Sequence, residues 1–196
     1  MRLLDEVSYE PVGEVNKRSD YEETTSMQNP ETQREETLTR RQNMEQQRGK
    51  QAWSNVDFIK DESKRRGNDT LQKEYRSRAS GLNAMIQING LGQTLGFLKA
   101  KGKERNDQGK VEPNAYFYLL GHLTQWMRSI SFDPAIPNTN DGLLKWVTDV
   151  ATSASYRRAT TECLAFGTWL RRFAEAELKD PTAPGTSTTQ PQGGIL

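Results

Sequence analysis

One segment near the carboxyl end leaves this chain little freedom of fold. From Ser155 to Ala174, the side chains of Tyr156, Ala159, Cys163, Phe166, Leu170, Phe173 and Ala174 fall on one side of a helix that turns about 100° per residue. Arg157, Arg158 and Arg172 fall on the other side. Such a helix buries one face against neighbours and keeps a cationic back for water or an anion. Ser155 is the expected amino-terminal cap, and Asp180-Pro181 the expected stop.

The same period runs upstream. Ala52, Val56 and Ile59 recur at i, i+4, i+7 in a first helix that ends near Arg66-Gly67-Asn68. Leu71, Tyr75, Ala79, Leu82 and Ile86 form the stripe of a second, which Asn89-Gly90 breaks. A third, Leu91 to Lys101, carries Leu91, Leu95 and Leu98, with Gly92 and Gly96 as points of close approach. After a polar loop, 101–110, Pro113 stands at a favoured first-turn position. The helix it opens presents Tyr116, Leu119, Leu120, Leu123, Met127 and Ile130. Asp141 offers a cap for a fifth helix with Leu143, Leu144, Val147 and Ala151. Strand-like alternation is nearly absent, Met85-Ile86-Gln87-Ile88 being the one short candidate. The expectation is a single all-α domain, a bundle of about six helices over residues 41–179.

The flanks read differently. Residues 1–40 are rich in Glu, Thr, Gln and Asn and poor in apolar side chains, the composition of an acidic, unstructured extension. Residues 180–196 form a Pro/Gly/Ser/Thr tail with no periodicity. Net charge is +1, but the sum conceals a division. Residues 1–48 hold 7 Lys and Arg against 11 Asp and Glu, and residues 49–196 hold 20 against 15. The helical part is therefore mildly basic, which permits an anionic partner. No apolar run is long enough for a membrane span, and the start lacks the apolar core of a signal peptide. A lone cysteine on the apolar stripe, Cys163, suits a reducing cytoplasm.

Catalytic patterns are hard to find. Gly90-Leu91-Gly92-Gln93-Thr94-Leu95-Gly96 has its third glycine one position late for a dinucleotide turn, and no βαβ unit surrounds it. His122 and Cys163, each the sole residue of its kind, lie on separate helices and supply too few ligands for a metal. Asp57, Asp61 and Glu62 cluster beside Lys60, Lys64, Arg65 and Arg66, at spacings that suit ion pairs along one helix. No cofactor is called for.

What remains is cationic: Lys64-Arg65-Arg66, Lys73 with Arg76 and Arg78, the run Lys99, Lys101, Lys103 and Arg105, and the arginines of the last helix. Tyr75, Tyr156 and Trp169 lie near them in sequence, and aromatics beside cations can stack bases while the cations hold phosphates. By chemistry and placement, Arg157, Arg158 and Arg172 are the first candidates for phosphate contact. Arg76, Arg78, Lys101 and Lys103 come second.

Two segments carry a resemblance. They are Tyr75-Arg76-Ser77-Arg78-Ala79-Ser80-Gly81-Leu82, continuing through Ile86-Gln87-Ile88-Asn89-Gly90-Leu91-Gly92-Gln93-Thr94-Leu95-Gly96-Phe97-Leu98 to Lys101, and Ser155-Tyr156-Arg157-Arg158 through Glu162-Cys163-Leu164-Ala165-Phe166 to Trp169-Leu170-Arg171-Arg172-Phe173-Ala174-Glu175-Ala176. In pairing, order and spacing they resemble the small subunit of the Cmr effector complex, the RAMP-module machinery of type III-B CRISPR systems. The similarity covers about residues 41–179. It implies an all-helical protein without enzymatic activity, stacking on copies of itself beside the backbone RAMP subunits and the large subunit. It also implies that these subunits help form the groove in which target RNA pairs with CRISPR RNA. Sequence specificity would then come from guide pairing, leaving backbone contacts to the protein. Two other classes stay open on the residues alone. One is a stand-alone helical regulator of duplex DNA, for which no convincing helix-turn-helix is visible. The other is a metal-dependent nuclease built on Asp57, Asp61 or Glu62.

Overall fold

Helical periodicity becomes six α-helices among the described residues. The computed structural model describes residues 30–102, 112–180 and 182. The helices are α1 (Pro30–Arg65), α2 (Thr70–Asn89), α3 (Leu91–Lys101), α4 (Ala115–Ser129), α5 (Gly142–Asp149) and α6 (Ser153–Glu177), with no strand among the described residues. Residues 1–38 and 39–196 form separate compact units. Of the first unit only residues 30–38 are described, as the opening turns of α1. Most of the sequence expected to form the two tails lies outside the described residues, although α1 already begins within residues 1–40.

Helix ends follow local chemistry. Residues 63–68 close α1 with paired bonds, Gly67 N–H to the Lys64 carbonyl (3.0 Å) and Asn68 N–H to the Ser63 carbonyl (3.4 Å). Gly67 takes φ +70°, the left-handed geometry that glycine accepts without strain. The end of α4 uses the same device without glycine. Ser131 N–H reaches the Arg128 carbonyl (2.9 Å) and Phe132 N–H the Met127 carbonyl (3.0 Å). Ser131 itself sits at φ +50°.

Three caps differ from the sequence expectation. Thr152, not Ser155, caps α6, its hydroxyl accepting the Ser155 amide at 3.2 Å. Asn114, not Pro113, opens α4, its side-chain carbonyl accepting the amides of Tyr116 (3.1 Å) and Phe117 (3.2 Å). Its Nδ2 donates to the Lys101 carbonyl (2.7 Å), tying the end of α3 to the start of α4. Asp141 precedes α5 but makes no side-chain cap bond. Its carboxylate is taken by Lys99 (2.7 Å), Thr139 (2.8 Å) and Lys145 (3.1 Å), and the Lys99 ammonium above all holds it well below the usual carboxylate range.

The apolar stripes meet in one core. Ala52, Val56, Ile59, Tyr75, Leu82, Ile86, Leu95, Leu119, Leu123, Phe166 and Leu170 are all buried in it. Trp126 stacks on Phe166 with centroids 4.9 Å apart, joining α4 to α6. Helices α2 and α6 run antiparallel, as their contacts show: Arg76 meets Leu178, Ser80 meets Glu175, and Asn83 meets Thr168 and Leu164. Gly167 is small because a Cβ there would stand 2.2 Å from the Asn83 amide oxygen. Of the two glycines expected to admit a neighbour on α3, Gly92 does so, since a Cβ there would stand 3.3 Å from the Val147 side chain. Gly96 faces open space. The segment Met85-Ile86-Gln87-Ile88 is helical.

Candidate nucleic-acid interface

Ion pairing decides which cations are available. In the first basic run, Lys64 pairs with Asp61 (2.9 Å), and both Arg65 and Arg66 pair with Glu62. Arg66 also donates to the Pro113 carbonyl and the Tyr118 hydroxyl, each at 2.9 Å. Asp61 and Glu62, which a nuclease centre would need, are thus engaged in these pairs. Among the described residues, no group of three or more His, Cys, Asp or Glu is placed to hold a metal ion. Arg76 donates to the Leu178 carbonyl (2.9 Å) and to Asp180 (2.8 Å), fastening the end of α6 to α2. Arg171 pairs with Glu175 (2.9 Å).

Arg157, Arg158 and Arg172 are exposed and pair with no carboxylate among the described residues. They do not form one cluster. Arg157 and Arg158 border a groove of about 460 Å³ between the first half of α6 and the segment that leaves α4. Its apolar side is Met44, Ile130 and Phe132, with Ser131 at the turn. The Arg158 guanidinium lies over the Phe132 ring, 5.3 Å from its centroid, and Phe132 is wedged edge-on against buried Trp146. Arg172 stands beyond the groove, about 21 Å along the helix axis from Arg158 at 1.5 Å per residue. Arg78 belongs to another face, 4.9 Å from the centroid of Tyr116, which in turn packs against Phe97. Lys101 closes α3, and Lys103 lies outside the described residues.

Glu162 is the one acid lining the groove, and it is occupied. Arg48 Nε and Nη2 reach its two oxygens at 2.7 and 2.6 Å, and Trp126 Nε1 donates at 2.9 Å. The bonds to Glu162 raise the Arg48 pKa further above its already high value. Arg48 also pairs with Glu45, so the cationic character of the groove comes from Arg157 and Arg158. Sequence reasoning missed Arg48, Ser131 and Phe132. Phe132 carries no signal next to a Pro-rich connector, and nothing in a serine announces a left-handed backbone.

His122 and Cys163 are withdrawn into the core. Cys163 is fully buried, and burial pushes its thiol pKa up. His122 accepts or donates through Nδ1 to the Tyr75 hydroxyl at 2.7 Å, and burial pushes its pKa down to about 3. The glycine turn at 90–92 has a structural role, since the Gly92 amide donates to the Tyr156 hydroxyl at 3.1 Å. That bond joins the two sequence segments singled out above.

The family model described as CRISPR-associated protein (Cas_Cmr5) matches residues 44–177. The chain belongs to this family. Among solved structures, it is similar to a CRISPR-associated Cmr5 family protein from Thermus thermophilus. The two share 24% identity at a TM-score of 0.50, over 69% of this chain and 97% of the other, a likeness that concerns the fold. The Cmr5-family match takes in α2 to α6 and the part of α1 that packs on them, and with them every described candidate arginine. No helix among the described residues is long and apolar enough to cross a membrane.

Proposed function

We propose that this Cmr5-family chain is a non-catalytic structural subunit of a type III-B CRISPR Cmr complex in the cytoplasm. In this reading it stacks on copies of itself beside the backbone RAMP subunits and the large subunit, and lines the groove where target RNA pairs with CRISPR RNA. Family membership supports the complex. The RNA contact is carried by one observation: Arg157, Arg158 and Arg172 stay exposed and pair with no carboxylate among the described residues, whereas Lys64, Arg65, Arg66 and Arg76 are spent on internal ion pairs. Exposed, unpaired guanidinium groups suit phosphate, which they hold through two parallel hydrogen bonds. Arg78, Lys101 and Lys103 are secondary contacts. Arg76 joins them only with whatever capacity its bonds to Asp180 and Leu178 leave. Weak overall basicity fits a subunit whose affinity is shared among stacked copies.

Reconstitution tests the reading. The chain is expected to co-purify with Cmr backbone subunits loaded with CRISPR RNA, and to crosslink to target RNA through α6. The chain alone, given magnesium or manganese, is expected to leave RNA and DNA uncut. Failure to join the complex, or metal-dependent cleavage abolished by Asp61→Ala, would overturn it.

A further inference from the structure

The groove beside Arg157 is built for more than a phosphate. Its cationic rim faces a flat apolar wall, in which Phe132 is backed by Trp146 and covered by the planar Arg158 guanidinium. At about 460 Å³ it falls within the range of ~300–1,000 Å³ usual for small-ligand sites. Ser131 lines the same groove. It occupies a left-handed backbone position that normally falls to glycine, and its hydroxyl has no hydrogen-bond partner among the described residues. The acid that would repel an anion here, Glu162, is paired with Arg48, a guanidinium that Glu45 also holds.

Resting on the RNA-contact reading above, we propose that this groove seats one unstacked nucleotide of the bound RNA strand. Its phosphate lies on Arg157 and the Ser131 hydroxyl. Its base lies on the outer face of the Arg158 guanidinium, which is already stacked on Phe132 and keeps its N–H edge for the adjoining phosphate. Bases stack on guanidinium planes as they do on aromatic rings, and splayed single-stranded bases are what RNA-binding surfaces usually read. Arg172, outside the groove, holds the backbone without a base. The subunit therefore favours strands that can turn a base out at the groove, without choosing which base, because every base has a π-face.

The test compares two probes on the full-length chain at low salt: a labelled oligouridylate, and the same ribose-phosphate chain with its bases removed. The wild-type protein is expected to bind the base-bearing strand about tenfold more tightly, the gain of stacking one base. Arg158→Met and Phe132→Leu should each erase that preference; the abasic affinity should stay within about twofold in Phe132→Leu and should fall by one phosphate contact in Arg158→Met. Arg158→Met leaves the Phe132–Trp146 packing in place, so it reports even if Phe132→Leu fails to fold. Arg157→Glu should weaken both probes together. Equal binding of the two probes by the wild type, with Arg157→Glu still weakening both, overturns the nucleotide seat and leaves the phosphate contacts standing. Displacement of neither probe by uridine monophosphate, but of both by an acidic aromatic peptide, also overturns it. Binding of neither probe overturns both readings.

Discussion

Arg48 holds Glu162 with two hydrogen bonds, Nε to Oε1 at 2.7 Å and Nη2 to Oε2 at 2.6 Å, across 114 positions of sequence. Each side chain is 14% exposed, between the surface pairs that contribute almost nothing and the buried pairs whose rupture costs several kcal/mol. Arg48→Met should therefore lower the unfolding free energy by about 2 kcal/mol. Glu162→Gln should cost less, because an amide oxygen can still accept from Trp126. Urea unfolding of both single variants and the double variant gives the coupling between them. A coupling near zero would show that the pair does not fasten α1 to α6.

His122 makes stability depend on acid. Its folded pKa is depressed to about 3 from an ordinary 6.5, because the imidazolium cannot be solvated beside Tyr75, Phe58 and Tyr118. Between those values the unfolded chain binds a proton that the folded chain refuses. Stability is thus fully present above about pH 6.5 and is lost as pH falls, by up to ~1.4 kcal/mol per pH unit. Between about pH 6.5 and 5, where most carboxylates stay ionised, the urea midpoint should fall in the wild type and stay flat in His122→Gln. A flat wild-type profile would place the imidazole in water.

The glycines separate into two kinds. Gly142→Ala puts a methyl group 2.0 Å from the Pro137 carbonyl oxygen, a backbone atom that cannot step aside, and should cost more than about 3 kcal/mol. Gly96→Ala, with nothing within 4 Å and a helix interior around it, should stabilise the isolated chain by about 0.5–1 kcal/mol. Thermal melts of the two variants should move in opposite directions.

Ser131 supplies a complementary change. Ser131→Gly relieves the left-handed backbone and should raise stability by about 0.5–1 kcal/mol, whereas Ser131→Val should lower it by more than about 1 kcal/mol. If Ser131→Gly melted lower than wild type, the backbone there would be held by the serine hydroxyl instead of merely tolerating it.

These residues also mark what the sequence makes legible. The stripe from Tyr156 to Ala174 can be read directly, because a helix brings i, i+3 and i+4 together whatever the rest of the chain does. Cys163, Phe166, Leu170 and Ala174 are all buried accordingly. The caps are harder, because Thr152 and Ser155 are equally able chemically and only the path of the preceding chain chooses between them, while Pro113 suits a first turn and hides that the acceptor is Asn114 beside it. Distance in sequence hides the rest. Nothing near Arg48 announces Glu162, and nothing near Arg158 announces Phe132, so the single cationic face expected on α6 divides into a groove pair and the separate Arg172.

The central claim is that this face holds RNA through its phosphates, and salt dependence tests it most directly. Target-RNA affinity of the reconstituted complex, measured over a salt series, gives the slope of log K against log salt for wild type and for Arg157→Glu/Arg158→Glu/Arg172→Glu. Loss of three single-strand phosphate contacts in each copy should reduce that slope by about 2 per copy, at ~0.7 per contact, with the helical content unchanged. An unchanged slope together with unchanged affinity at low salt would contradict the account.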